Sequence, residues 1–225
     1  MCSATIGKQM TAMARRFFDE ADPDFKIIIE KSTHLNLSNL KHEFIHLADY
    51  DKIKPLQLLC KEFGKYAKKN ETSCIVFCNS VNSARAVEHA LAKEGLETTS
   101  LHGEIPPNKR AENYLAFRKR DKNILVATDL ASRGLDMPFV SHIINFDCPK
   151  TTSDYLHRAG RAGRAGREGF VMTLYREKDM PILQEMQSSH ETQEPLKIKG
   201  SAYSLTNKEE FVKKIEPKIG QKEPI

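Results

Sequence analysis

The sequence predicts an α/β fold in which a mostly parallel β-sheet is sandwiched by helices. From residue 43 onward, short apolar runs alternate with amphipathic stretches, the pattern of successive βαβ units. Two of the runs, 75–77 and 124–127, are apolar without a break, as strands covered on both faces must be. The stretches between them carry helix punctuation, with Ser80 as an N-cap and Gly95 as a stop.

The first forty residues differ from this pattern. Helical periodicity covers residues 8–18 and a strand pattern covers 26–30, so residues 1–30 read as the trailing edge of a preceding domain and 31–42 as a linker. The main domain spans 43–190. Its expected strands are 43–47, 74–79, 98–103, 123–128, 142–146 and 169–175, and its expected helices are 52–67, 81–93, 107–118, 152–161 and 178–188. Residues 191–225 are rich in lysine and glutamate and contain Pro195, Pro217 and Pro224, which predicts a partly disordered extension. In parallel sheets ligands bind beyond the carboxyl ends of the strands, so the residues following each strand are the candidates for function.

Composition narrows the class. The 225 residues carry 35 Lys+Arg against 30 Asp+Glu, so contact with a polyanion must come from local patches rather than a global field. The sequence contains neither a long uninterrupted apolar stretch nor an N-terminal signal pattern, which predicts a soluble intracellular protein without a membrane span. Cys2, Cys60, Cys74, Cys78 and Cys148 form an odd set in apolar contexts and read as buried free thiols. Cys74 with Cys78 and His42 with His46 each share a strand face, but neither pair has companion ligands, and no metal site is expected.

The densest local signal is His157 to Gly169, where Arg158, Arg161, Arg164 and Arg167 recur every third residue, each followed two positions later by glycine. Guanidinium forks match phosphate oxygens, and interleaved glycines would let a phosphate chain approach the backbone. Collagen periodicity is excluded by the absence of proline, and a disordered Arg/Gly tail fits poorly between the apolar segments 143–146 and 170–175.

Other motifs stand at successive strand ends. Thr128-Asp129-Leu130-Ala131-Ser132-Arg133-Gly134-Leu135-Asp136 follows one strand, His102-Gly103-Glu104 with Arg110 follows another, and Asn79-Ser80 a third. Together with His157-Arg158-Ala159-Gly160-Arg161-Ala162-Gly163-Arg164 this order resembles the second RecA-like domain of the DEAD-box RNA helicases, over roughly residues 41–190. Ser3-Ala4-Thr5 matches the triad that closes that family's first domain. The resemblance implies a RecA-like sheet of the P-loop NTPase helicase type. The His157-Arg158 opening separates it from the related groups that begin this motif with Gln.

Residue roles follow from the resemblance. Arg161 and Arg164 match arginine fingers that neutralise charge on the γ-phosphate, and Asp136 matches the carboxylate that holds the ATP ribose. Ser80, Gly103, Arg110 and Thr128 match positions that grip the RNA sugar-phosphate backbone without reading sequence. Ser3, Thr5, Arg133, His157 and Arg158 match positions coupling the two domains, while Arg167 has no assigned role. One departure is Pro107, where the family usually carries Gln three residues before the arginine.

Other features limit the activity expected of the chain. Neither Gly7-Lys8-Gln9 nor Gly64-Lys65-Tyr66 has the spacing of a phosphate-binding loop. Asp19-Glu20-Ala21-Asp22 spells the family's eponymous tetrapeptide but follows the Ser-Ala-Thr triad and a basic stretch rather than an apolar strand, so it reads as a helix end and turn. The expectation is therefore half an ATP site and half an RNA groove, in a fragment inactive by itself and monomeric. Its partners would be RNA and an N-terminal RecA-like domain of the same protein, its substrate ATP with Mg²⁺, and the Mg²⁺ ligands would lie in that missing domain. The alternative is a non-enzymatic RNA-binding or scaffold module that keeps the helicase fold.

Overall fold

A computed structural model of the chain describes residues 39–47, 51–132 and 134–188. The Ser3-Ala4-Thr5 triad, the Asp19–Asp22 tetrapeptide, Arg133 and the extension from 191 to 225 lie outside the described residues.

Six parallel strands form one sheet: β1 (Leu40–His46), β2 (Ser73–Cys78), β3 (Thr98–Leu101), β4 (Ile124–Thr128), β5 (Val140–Asn145) and β6 (Gly169–Tyr175). Their spatial order is β1-β6-β5-β2-β4-β3, with every neighbouring pair parallel. The connections carry helices α1 (Ile53–Asn70), α2 (Val81–Lys93), α3 (Pro107–Arg118), the short α4 (Asp129–Ser132) and α5 (Thr152–Ala159). A final helix, α6 (Met180–Ser188), follows β6.

Period-two alternation in the strands builds two cores. In β2, Cys74, Val76 and Cys78 face α1 and α2, meeting Leu56, Phe63, Val87 and Leu91, while Ile75 and Phe77 face the opposite side. That second layer takes Phe117 from α3, Tyr155 and Ala159 from α5 and Leu183 and Met186 from α6. Because both faces are covered, all six residues of β2 and all seven of β6 are buried, which accounts for their largely apolar character.

The helix bounds follow local chemistry. Ser80 caps α2, its Oγ accepting from the Ser83 N–H at 3.1 Å, and Thr151 caps α5 by accepting from the Asp154 N–H at 3.0 Å. Pro107 begins α3, a position where the missing N–H costs nothing. It is therefore compatible with an undistorted helix running on to Arg110. The structure differs from the sequence reading chiefly at β1. Residues 40–42, expected in the linker, pair with Gly169, Phe170 and Val171 of β6 and belong to the sheet.

Candidate functional site

The carboxyl ends of β2, β4 and β5 converge on one side chain. Arg158, on the last turn of α5, is 1 % exposed, and each of its five N–H donors has an acceptor. Nε and Nη2 form a fork onto the two carboxylate oxygens of Asp129 at 2.6 and 2.7 Å. The second Nη2 proton goes to Asn79 Oδ1 at 2.6 Å, and Nη1 serves Asn145 Oδ1 at 3.3 Å and the Asp147 carbonyl at 2.8 Å. The Phe77 ring lies under the guanidinium, with its centroid 5.2 Å away. A buried charge is tolerated only when paired and fully hydrogen-bonded, and this one is. Arg158, a position expected to couple two domains, is turned inward, where it ties together the strand ends that bear other predicted residues.

Asp147 extends the same network. Its Oδ2 accepts from the Asn79 N–H at 3.0 Å and from the Ser83 hydroxyl at 2.6 Å, and Lys52 Nζ stands 3.8 Å from Oδ1. Burial pushes the Lys52 ammonium below its usual range, and Asp147 opposes that shift. On the sheet side, Asn145 donates to Thr173 Oγ1 at 2.9 Å, carrying the network to β6.

Around this hub the predicted RNA-gripping residues lie on adjacent strands. The registers pair Thr128 with Cys78 across β4 and β2, and Ala127 with Leu101 across β4 and β3. Ser80, Thr128 and Gly103 therefore emerge along one edge of the sheet. Ser80 and Gly103 are exposed, and Thr128 is half-buried at the end of its strand. A Cβ on Gly103 would meet no atom within 4 Å, so packing does not demand glycine there. Next to it, His102 is buried, and burial, followed by the nearby Arg85, holds its imidazole below the usual histidine range. Arg85 bridges α2 to this loop through Glu104 at 2.5 Å. Arg110 lies half-buried in the first half of α3.

The three residues predicted to meet ATP form a second cluster. Arg164 Nη1 pairs with Asp136 Oδ1 at 3.2 Å, and Arg161 Nη1 donates to the Leu135 carbonyl at 3.1 Å. Tyr114 of α3 steadies the same segment by donating to the Asp136 carbonyl at 2.8 Å. This cluster is not at the carboxyl ends of the strands. Its loop returns to the start of β5, where the Gly163 N–H meets the Val140 carbonyl at 3.3 Å, and leads into β6. The chain thus presents two sets of residues rather than one, the first beside the buried Arg158 network and the second at the loop that returns to the start of β5. His157 is half-buried on α5.

Several participants escaped sequence reasoning. Asn145 and Asp147 become visible only when the strand ends are aligned, and Asn79 and Asp129, present in the strand-end motifs, carry no role there until Arg158 is placed against them. Arg167 rests over the Phe139 ring at 5.8 Å, a packing role on the surface. No group of His, Cys, Asp and Glu able to hold a metal occurs among the described residues. None of their helices is long and apolar enough to cross a membrane. A groove of about 500 Å³ beside Lys61, Lys65, Lys68 and Leu96 contains none of the predicted site residues.

Comparison with known proteins agrees with the motif order. Residues 54–166 match the family described as helicase conserved C-terminal domain. DEAD-box ATP-dependent RNA helicase 39 of Arabidopsis thaliana is 36% identical over 191 residues, covering 83% of this chain and 30% of that protein. The ATP-dependent RNA helicase dbp8 of Aspergillus oryzae is 41% identical over 117 residues, 52% of this chain and 26% of the relative. Among solved structures, S. cerevisiae Dbp5 bound to RNA and ADP BeF3 superposes with a TM-score of 0.70 at 25% identity, covering 82% of this chain and 47% of that one. The E. coli DEAD-box protein SrmB, bound to regulator of ribonuclease activity A, gives a TM-score of 0.55 at 32% identity, covering 65% and 84%. The chain spans under a third of the length of these curated relatives. With this strand order and these motifs at its strand ends, the chain belongs to the helicase C-terminal domain family, in its DEAD-box branch.

Proposed function

We propose that this chain supplies the second half of an ATP-driven RNA helicase, closing with an amino-terminal RecA-like half over one ATP and one RNA strand. The observation that carries the reading is the grouping of Asp136, Arg161 and Arg164, with Ser80, Gly103 and Thr128 along a sheet edge that the Arg158 network adjoins.

In this reading Arg161 and Arg164 act on the γ-phosphate. Their fixed charge offsets the negative charge that spreads over the transferred phosphoryl group, an effect worth roughly 10³–10⁵ in rate when an arginine arrives from a second domain. Asp136 accepts from the ribose. Arg164 and Asp136 pair at 3.2 Å, an exposed ion pair weak enough to be exchanged for contacts to phosphate and sugar. The donor set fits a nucleotide, with two guanidinium groups for phosphate and one carboxylate for hydroxyls. Mg²⁺ would neutralise phosphate charge from the amino-terminal half, where its ligands are expected.

For RNA, the Thr128 and Ser80 hydroxyls and the Gly103 N–H offer neutral donors to successive phosphates, and Arg110 adds a charge. Such contacts give grip without sequence selection. Because Arg158 holds Asn79 and Asp129, the immediate neighbours of Ser80 and Thr128, a displacement of α5 would be felt at the RNA edge.

The test uses the full-length protein carrying this chain. Arg161→Ala and Arg164→Ala are each expected to abolish RNA-stimulated ATP hydrolysis while leaving the domain folded, and unchanged turnover would refute the assignment. RNA binding without any ATPase in the unaltered full-length protein would instead support a scaffold module.

A further inference from the structure

Two glycines of the arginine run, Gly163 and Gly169, serve a different purpose from the one their spacing suggests. A Cβ on Gly163, whose φ is +66°, would lie 2.5 Å from Leu40 Cδ2 and 2.8 Å from Asn39 Nδ2. A Cβ on Gly169 would lie 2.6 Å from the same Leu40 methyl and 3.0 Å from the Gly163 N. The space vacated by these two glycines is filled by the start of β1 and not left open for phosphate.

What enters that space is a clasp. The Asn39 side-chain amide donates both its protons, to the Gly163 carbonyl at 2.7 Å and to the Arg167 carbonyl at 2.5 Å. Its own backbone carbonyl accepts from the Gly169 N–H at 3.1 Å. One residue thus brackets Arg164 on both sides and pins the loop where it enters β6. Apart from this clasp the loop backbone is held by a single 3₁₀ turn, Arg164–Gly166, and the hydrogen bond from Gly163 to Val140, while the side chains of Arg161, Arg164 and Arg167 make the contacts already described. Asn39 falls within the stretch that the sequence assigns to the linker from the preceding domain.

We propose that Asn39 is a positioning residue for the arginine pair. Its amide fixes the loop from which Arg161 and Arg164 project, so the end of the interdomain linker sets the aim of the arginines. The proposal rests on the reading of those arginines as γ-phosphate contacts. A fork misplaced by about 1 Å can cost up to ~10² in rate, while ground-state binding through Asp136, which Asn39 does not touch, is left in place.

Asn39→Asp tests the clasp because it keeps the shape and replaces two donors with acceptors facing two carbonyls. In the full-length protein it is expected to lower kcat for RNA-stimulated ATP hydrolysis roughly tenfold to a hundredfold with little change in KM for ATP. In the 225-residue chain, amide exchange should accelerate at Gly163 and Arg167 while β2, β4 and β5 stay protected. Accelerated exchange with unchanged kcat would overturn the positioning role, and unchanged exchange would overturn the clasp itself. Loss of turnover in Arg161→Ala and Arg164→Ala, measured alongside, shows that the underlying finger reading stands. If those two retain turnover, that reading fails, and the exchange result alone decides the clasp. Should Asn39→Asp fail to fold, Asn39→Ser, which keeps one donor, takes its place, and intermediate losses in both readouts are expected.

Discussion

Substituting Asp129 tests the Arg158 network most directly. In Asp129→Asn one carboxylate oxygen becomes an NH₂ group facing the Arg158 fork, and the negative charge disappears. The guanidinium, only 1 % exposed, cannot turn to water, so the variant leaves a buried charge uncompensated. Removing one member of such a pair costs about 3–5 kcal/mol. Arg158→Met removes the charge and keeps the apolar stem. It orphans Asn145 Oδ1, which is fully buried, but frees Asp129, whose side chain is 27% exposed and can rehydrate. That points to a loss of about 2–4 kcal/mol, chiefly from the orphaned acceptors. The decisive measurement is the cycle between the two. With Met at 158 there is no charge left to strand, so Asp129→Asn should cost less than about 1 kcal/mol in that background, a coupling of roughly 2–4 kcal/mol. Urea unfolding of the four proteins, with the slope held common, gives the coupling directly. Equal cost of Asp129→Asn in both backgrounds would refute the reasoning.

Other outcomes follow from single features. Burial pushes the thiols of Cys60, Cys78 and Cys148 up to about 12 and that of Cys74 well above its ordinary value, so at pH 8 none of the four should react with a disulfide reagent until the chain is unfolded. The depressed His102 pKa means that below about pH 6.5 the unfolded chain binds a proton the folded chain resists. Stability should therefore fall as pH drops from 7.5 to 5.5, and His102→Gln should flatten that part of the profile. Asp136→Asn breaks an exposed pair worth under about 1 kcal/mol, so the melting temperature should hardly move while nucleotide affinity falls in titrations of the full-length protein. Gly163→Ala forces a methyl against Leu40 at positive φ and should destabilise the chain by about 1–3 kcal/mol, more than Gly166→Ala, which has positive φ but open space.

Much of the architecture was legible because parallel sheets write themselves plainly. Buried strands such as β2 and β4 must be apolar throughout, and the bounds 81–93, 107–118 and 169–175 match α2, α3 and β6 as observed. Ser80 announced a helix start by capping chemistry. The start of β1 was not legible, because an edge strand with one neighbour reads as polar: Lys41 and His42 look like linker until β6 is placed beside them. Site residues show the same division. Charged and hydroxyl side chains next to strand ends could be picked out, but whether an arginine points outward or inward depends on acceptors far away in sequence. Arg158 and Arg161 are three positions apart with identical chemistry, yet Asn79, Asp129 and Asn145 await only the first.

The arginine period thus divides by what surrounds each member. A helix turn separates Arg158 from Arg161, and α5 ends between them at Ala159, so the first projects into the sheet's carboxyl edge while the second lies on the returning loop. Arg164 follows a left-handed Gly163 packed against Leu40 and Asn39, and Arg167 falls beyond it, over Phe139. In the proposed reading phosphate chemistry falls to Arg161 and Arg164, while Arg158 and Arg167 pack into the framework around them. That framework is fixed at both ends, by the Arg158 fork on one side and by the start of β1 on the other. If the domain closes over nucleotide as proposed, a movement of α5 or of the segment entering β1 would reach the arginine pair through these contacts.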